Sequence, residues 1–202
     1  MTTTGRRRGA YAKTAERRRE ILEACIEVFA ASGFRSGSIR EIAERAGISQ
    51  AGVLHHFANK SELLAAVLDL RDERALEYIP LEEGVPGLDT VRGYVALIEH
   101  NATVPGLVEL HAVVSAEATA RDHPAHAYYT GRDERVVSAL MRAFRDMAAA
   151  GQLRPGIDPD ETARALIALT DGLQLQWLYH PDQVDMAGQL RTYLRQVTVE
   201  EF

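Results

Sequence analysis

Between Ser38 and Lys60 the chain reads SIREIAERAGISQAGVLHHFANK, and this stretch constrains the fold more than any other. Ser38 followed by Glu41 three residues on is a capping box, so the spacing predicts a helix from Ile39. Ile42, Ala43 and Ala46 fall on one apolar face at helical spacing. Gly47 comes next, where a left-handed residue ends a helix at least cost. Ile48 is placed to fill the angle, and Ser49 to cap a second helix from Gln50 to His56. Val53, Leu54 and Phe57 are expected to anchor that helix inward. Gln50, Ala51, Gly52, His55 and His56 would then form an outward face of small and hydrogen-bonding groups. A short helix held steeply, with small residues leading its outer face, has the shape that enters a DNA major groove.

Charge supports that reading once it is divided along the chain. The total of −6 argues weakly against a nucleic-acid partner. Residues 1–60, however, hold eleven Lys and Arg against six Glu, a balance of +5 that leaves −11 on the remainder. A basic head on an acidic body is expected where only one end meets phosphates. Within the head, residues 1–13 read as a basic segment, either a solvated flexible tail or an arm that tracks a minor groove or backbone. From Thr14 a helix is expected, with Ile21, Cys25, Val28 and Phe29 on one stripe and a stop at Ser32-Gly33. The lone Cys25 cannot make an intrachain disulfide, reads as a small core residue, and fits a reducing cytoplasm.

Beyond Lys60 every signal is helical. Asn59 to Glu62 caps a fourth helix through Leu63, Leu64, Val67 and Leu68, reaching toward Tyr78, and Pro80 with Gly84-Val85-Pro86-Gly87 breaks it. Further helices are predicted around Val91–Ile98, Leu107–Val114, from Pro124 as first residue to a stop at Gly151, from Asp158-Pro159, and after His180-Pro181-Asp182. No apolar run is long enough to span a bilayer, and the basic N-terminus lacks the apolar segment of a secretory signal. The last two helices read as too apolar for one chain's own needs, and the helix over 163–178 is apolar around much of its circumference, the pattern of a helix buried at a subunit interface.

The run IREIAERAGISQAGVLHHFANKSELL, with the helix before it, resembles the TetR family of bacterial transcriptional regulators over about the first third of the chain. Ser38, Ile42, Ala43, Ala46, Gly47, Ser49, Phe57 and Lys60 match the family pattern. Leu54 stands where the family usually places a phosphate-contacting Tyr. The resemblance implies an all-α protein with an N-terminal three-helix helix-turn-helix domain, joined by a fourth helix to a C-terminal helical ligand-binding and dimerisation domain. The corresponding division is a basic arm over 1–13, a DNA-binding domain over 14–60, and an effector-binding and dimerisation domain over 61–202. It further implies a ligand-responsive regulator, a repressor that binds a palindromic DNA operator as a homodimer through its last two helices. By position, Ser38, Arg40, Ser49, Gln50, Ala51, Gly52, Leu54, His55, His56 and Lys60 are the candidate DNA-contacting residues. Candidate effector contacts are polar or aromatic groups set among apolar ones: His100, His111, Glu117, Tyr128, Tyr129, Arg132 and Trp177. Tyr128 and Tyr129 point in different directions on a helix, so at most one faces a pocket. Trp177 reads more simply as a core or interface anchor.

Other classes find less support. There is no Gly-rich phosphate loop, HExxH or nucleophile elbow, so no enzyme, cofactor or membrane partner is expected. Glu82-Glu83 read as solvated. His123 and His126 stand three apart, a spacing that can share a metal ion, against the simpler reading of a solvated first turn. A helical interaction module without DNA affinity is the second hypothesis. Leu54 and the overall acidity are its only support, and Arg6–Arg8 and Arg17–Arg19 oppose it.

Overall fold

The computed structural model describes residues 4–80 and 84–202, with side chains from residue 13 onward. Glu82, Glu83 and the side chains of Arg6–Arg8 lie outside the described residues. Nine helices follow in order among those described: α1 (Thr4–Ser36), α2 (Ile39–Arg45), α3 (Gln50–His56), α4 (Lys60–Leu76), α5 (Gly87–Asn101), α6 (Pro105–Glu117), α7 (His126–Ala149), α8 (Pro159–Tyr179) and α9 (Met186–Val197). Apart from one isolated bridge between Leu153 and Thr198, the described residues form no strand.

Local chemistry sets most boundaries. The Ser38 capping box is complete: its hydroxyl accepts from Glu41 N and the Glu41 carboxylate accepts from Ser38 N. After α2, Gly47 takes φ 67°, while Ile48 N bonds to Ala43 O and Gly47 N to Glu44 O, a Schellman ending. Asn59 and Asp158 cap α4 and α8 through their side-chain oxygens, with Pro159 at the first helical position. Three boundaries differ from the sequence expectation. The backbone of α1 is already helical at Thr4, ten residues before Thr14. A break at Gly33 (φ 71°) inside α1 stands where Ser32-Gly33 was expected to stop it. Helix α7 starts at His126, because Pro124 sits in the turn ahead of it.

The side chains collect into two cores. The first joins Ile21, Cys25 and Phe29 of α1 with Ile42, Val53, Phe57, Leu64 and Val67, and reaches Leu107, Leu110 and Val114 of α6. The second joins α5, α7, α8 and α9 around Val91, Phe144, Leu166 and Leu190. Burial pushes the Cys25 thiol far above its ordinary range, so it stays protonated as a core residue. Helix α6 packs on α1 as well as on the body, so the head and the body meet along it. No helix among the described residues is long and apolar enough to cross a membrane.

Candidate nucleic-acid interface and body cavity

Helix α3 is too short to hold itself in place, so packing must hold it. Val53 and Phe57, four residues apart, are fully buried and take the whole inward side. Leu54 is 43% exposed, which corrects its expected inward anchoring: one residue on from Val53, it is turned about 100° away from the core. Gln50, Ala51 and His55 are exposed beside it, and Gly52 and His56 are half-buried. The Ser49 hydroxyl is already used, accepting from Gly52 N at 3.1 Å. Ser38 is likewise engaged in its capping box, and exposed Arg40 lies 3.7 Å from Glu44. The His55 and His56 rings stand edge to face at 5.4 Å.

Two cations fix this unit from behind. Arg18 of α1 lies 4.0 Å over the Phe57 ring and donates through Nη1 to His56 O at 3.0 Å, neutralising the carbonyl end of α3. Lys60 donates to Arg35 O at 3.2 Å and lies 4.6 Å over the Phe34 ring. Burial draws the Lys60 ammonium below the ordinary lysine range, with the Glu117 carboxylate opposing that shift. Lys60 therefore braces the corner between α1 and α4 and keeps N–H groups to spare. Sequence reading singled out Lys60 as a phosphate contact and not as a brace, and it missed Arg18, because the Phe57 contact spans residues nearly forty apart.

The body contains a cavity of about 310 Å³ between α4, α5, α6, α7 and α8. Of the seven effector candidates it brings together three: His111, Tyr129 and Arg132. The other four are occupied elsewhere. His100 stacks on Tyr78 at 4.7 Å. The Tyr128 hydroxyl donates to Asp72 at 2.7 Å, and Trp177 is buried in the second core. Glu117 faces the head, where its carboxylate accepts from Phe34 N at 2.7 Å and Arg35 N at 3.4 Å, just past the Gly33 break. A Cβ at Gly33 would lie 2.5 Å from that carboxylate, so the close approach needs glycine there. Sequence reading missed Arg71, which lines the cavity from α4. Its signal was present: Arg71 continues the buried Leu64, Val67 and Leu68 stripe by one helical turn. His123 and His126 take separate partners, with His123 Nδ1 accepting from Ala125 N and His126 Nδ1 2.8 Å from Ala118 O.

The N-terminal model of the bacterial regulatory proteins, tetR family, matches residues 21–67, the helices that form the first core and carry α3. The C-terminal model of the BetI-type transcriptional repressors matches residues 95–199, more than half of the chain. The chain belongs to the TetR family of bacterial transcriptional regulators. UidR of Escherichia coli is 29% identical over 158 residues, covering 77% of this chain and 79% of UidR. TtgR of Pseudomonas putida is 27% identical over 192 residues, covering 89% of this chain and 88% of TtgR. The structure of SmeT, the repressor of the Stenotrophomonas maltophilia efflux pump SmeDEF, superposes with a TM-score of 0.65 at 25% identity, covering 91% of each chain. As a TetR-family member the protein is a transcriptional regulator and not an enzyme.

The expectation of pairing through the last two helices bears on what α8 and α9 leave exposed, and the two differ. The apolar side of α9 (Met186, Leu190, Leu194, Val197) is spent inside its own chain, and its outward residues Gln189, Thr192 and Gln196 are polar. The expected apolar surplus therefore lies on α8 alone. There Ala165, Ala168, Leu169, Gly172, Leu175 and Tyr179 follow one another at helical spacing on the outward side. Leu175 is 47% and Tyr179 75% exposed, and a Cβ at Gly172 would meet nothing.

Proposed function

We propose that the protein is a repressor that binds an imperfect palindrome as a homodimer and leaves it when a small molecule occupies the body cavity. The observation that carries the DNA half is the outward side of α3: small and hydrogen-bonding groups stand in water over the buried Val53 and Phe57. In this reading residues 14–60 meet DNA and residues 61–202 bind effector and pair the subunits. Gln50 reads an adenine edge, Ala51 and Gly52 allow close approach, and Leu54 makes apolar contact with a thymine methyl or a sugar. Arg40, His55, His56 and the spare N–H groups of Lys60 meet phosphates, while Ser38 and Ser49 chiefly hold the helix starts that face the backbone. The apolar stripe of α8 forms the centre of the dimer interface, with the polar outer side of α9 as its rim.

Cavity and head are linked through α6, whose end carries Glu117 against the α1 corner. An effector that shifts α6 acts on that corner, a coupling typically worth about 1–3 kcal/mol. The test is a gel-shift series on the DNA upstream of the protein's own gene, with light scattering at micromolar concentration. A shifted complex and a dimeric mass are expected; a monomer, or no preference over unrelated DNA, overturns the reading. In the same series Lys60→Ala is expected to weaken binding to all sequences and flatten the salt slope, and Gln50→Ala to relax preference at one base pair. An unchanged salt slope for Lys60→Ala leaves that residue only its bracing role.

A further inference from the structure

Among the described residues, nothing satisfies several polar atoms of the body cavity. The Arg71 side chain is nine-tenths buried, its Nη1 has no hydrogen-bond partner among the described residues, and the nearest carboxylate oxygen among them, on Asp72, is 3.9 Å away. Asp72 is already committed. It accepts from the Tyr128 hydroxyl at 2.7 Å and from Arg135 Nη2 at 3.3 Å, and lies 3.6 Å from Arg132 Nε. One carboxylate thus faces three guanidinium groups. The Tyr129 hydroxyl and His111 Nδ1, on the same cavity, are buried without partners as well.

The other acids on the wall do not correct this imbalance. Asp133 is exposed, and the Asp171 side chain is 60% exposed, with its Oδ1 3.7 Å from His111 Nε2. A buried guanidinium short of acceptors is far more costly than an unpaired neutral group, and an anion relieves it directly. Beside the cavity, and sharing Tyr94, Leu97, Arg132 and Val136 with it, lies a second pocket of about 270 Å³ whose further wall includes Leu76, Ile79 and Leu140. The joint space is polar at one end and apolar at the other.

We infer that the effector is an organic anion, with a carboxylate or similar acidic group held by Arg71 and the Tyr129 hydroxyl and an apolar body lying toward Leu76, Ile79 and Leu140. Arg71 is the residue that sets specificity for charge. This rests on the reading of the cavity as the effector site, and the experiment separates the two.

Full-length protein is titrated calorimetrically, and its thermal unfolding followed, with two matched series: hexanoate, hexanamide and hexylamine, and 4-phenylbutanoate with its amide and amine. In at least one series the carboxylate is expected to bind tenfold or more tighter than its amide, as a charge-assisted hydrogen bond allows, and the amine not to bind. Arg71→Met should abolish that preference, and Arg71→Lys, which keeps the charge, should recover part of it. Ser115→Trp, which fills the cavity, should stop binding altogether. An amide or amine that matches its carboxylate, and is blocked by Ser115→Trp, leaves the site standing and overturns the anion. A carboxylate that binds Ser115→Trp and Arg71→Met as well as wild type overturns the site itself. Binding by no carboxylate overturns the inference.

Discussion

Gln50, Ala51 and His55 stand in water above Val53 and Phe57, whereas Arg71, His111 and Tyr129 hold polar atoms in the body interior, three of them with no partner among the described residues. The head exposes its hydrogen-bonding groups over a tight apolar core; the body buries such groups around a space. Water serves the first arrangement until DNA replaces it, so the head gives up little stability to be ready. The second leaves donors and acceptors short of partners, at roughly 1–3 kcal/mol for each unsatisfied group. Removing an exposed α3 side chain such as Gln50 or His55 should therefore leave head stability nearly unchanged, and removing the buried cavity charge should make the body more stable, while removing packing should damage the head severely.

The largest expected effect is on that packing. Phe57 is fully buried and is the aromatic anchor at the end of α3, so Phe57→Ala should lower unfolding stability by about 3–5 kcal/mol in urea. DNA binding should be lost at temperatures where the body is still helical. A variant as stable as wild type would mean that α3 is not held by its core, and the contrast between the two regions would fail.

Next comes the junction between them. Glu117 accepts from Phe34 N and Arg35 N, so Glu117→Ala leaves two amide groups without their acceptor and is expected to cost about 1–3 kcal/mol. Glu117→Gln keeps an acceptor oxygen and should lose less. Both variants should still bind effector in the cavity while releasing DNA less completely than wild type, as measured by gel shift with and without ligand. Full release by Glu117→Ala would move the coupling to another contact.

This junction also shows where sequence reading stops. Capping boxes, a glycine stop and the apolar spacing around Ser38–Lys60 are interactions within a turn or two, so they are written side by side and the head was legible, family included. The one inward assignment that failed, Leu54, needed the helix phase fixed to a single residue. His111, Tyr129 and Arg132 reached the cavity list because each interrupts an apolar stripe with a polar group. Glu117 interrupts a helix in the same way, yet it turns to the amides 82 and 83 residues back, a pairing no local pattern records. His100 was lost to Tyr78 for the same reason, Trp177 is the core anchor its simpler reading made it, and Arg71 was overlooked among the charges that follow it in α4.

A smaller effect, of opposite sign, tests the body directly. Replacing a buried charge that lacks a full partner by an apolar group of similar length removes its desolvation cost, so Arg71→Met should raise unfolding stability by roughly 1–2 kcal/mol. For a chain of this size that is a rise in Tm of about 2–8 °C, seen by calorimetry without ligand. Saturating organic anion should reverse the order of the two proteins, because only wild type gains from binding it. A fall in Tm without ligand would show that Asp72 already serves Arg71 adequately.

The smallest effect is a pH dependence in the same cavity. Burial first, and the Arg71 charge second, pull His111 from its ordinary 6.5 down to about 4. The unfolded chain then takes up a proton near pH 6.5 that the folded chain refuses until about pH 4. Above that window both states hold a neutral ring and His111 contributes no slope; as pH falls through it, stability is progressively lost. Between pH 7 and pH 6 only the upper edge of the window is crossed, so the loss is below about 1 kcal/mol. His123, held down chiefly by burial, adds a slope of its own, so the informative quantity is the difference between wild type and His111→Asn at the two pH values. No difference at all would place the His111 ring in contact with water, and a wet cavity would have no need of an anion to satisfy Arg71.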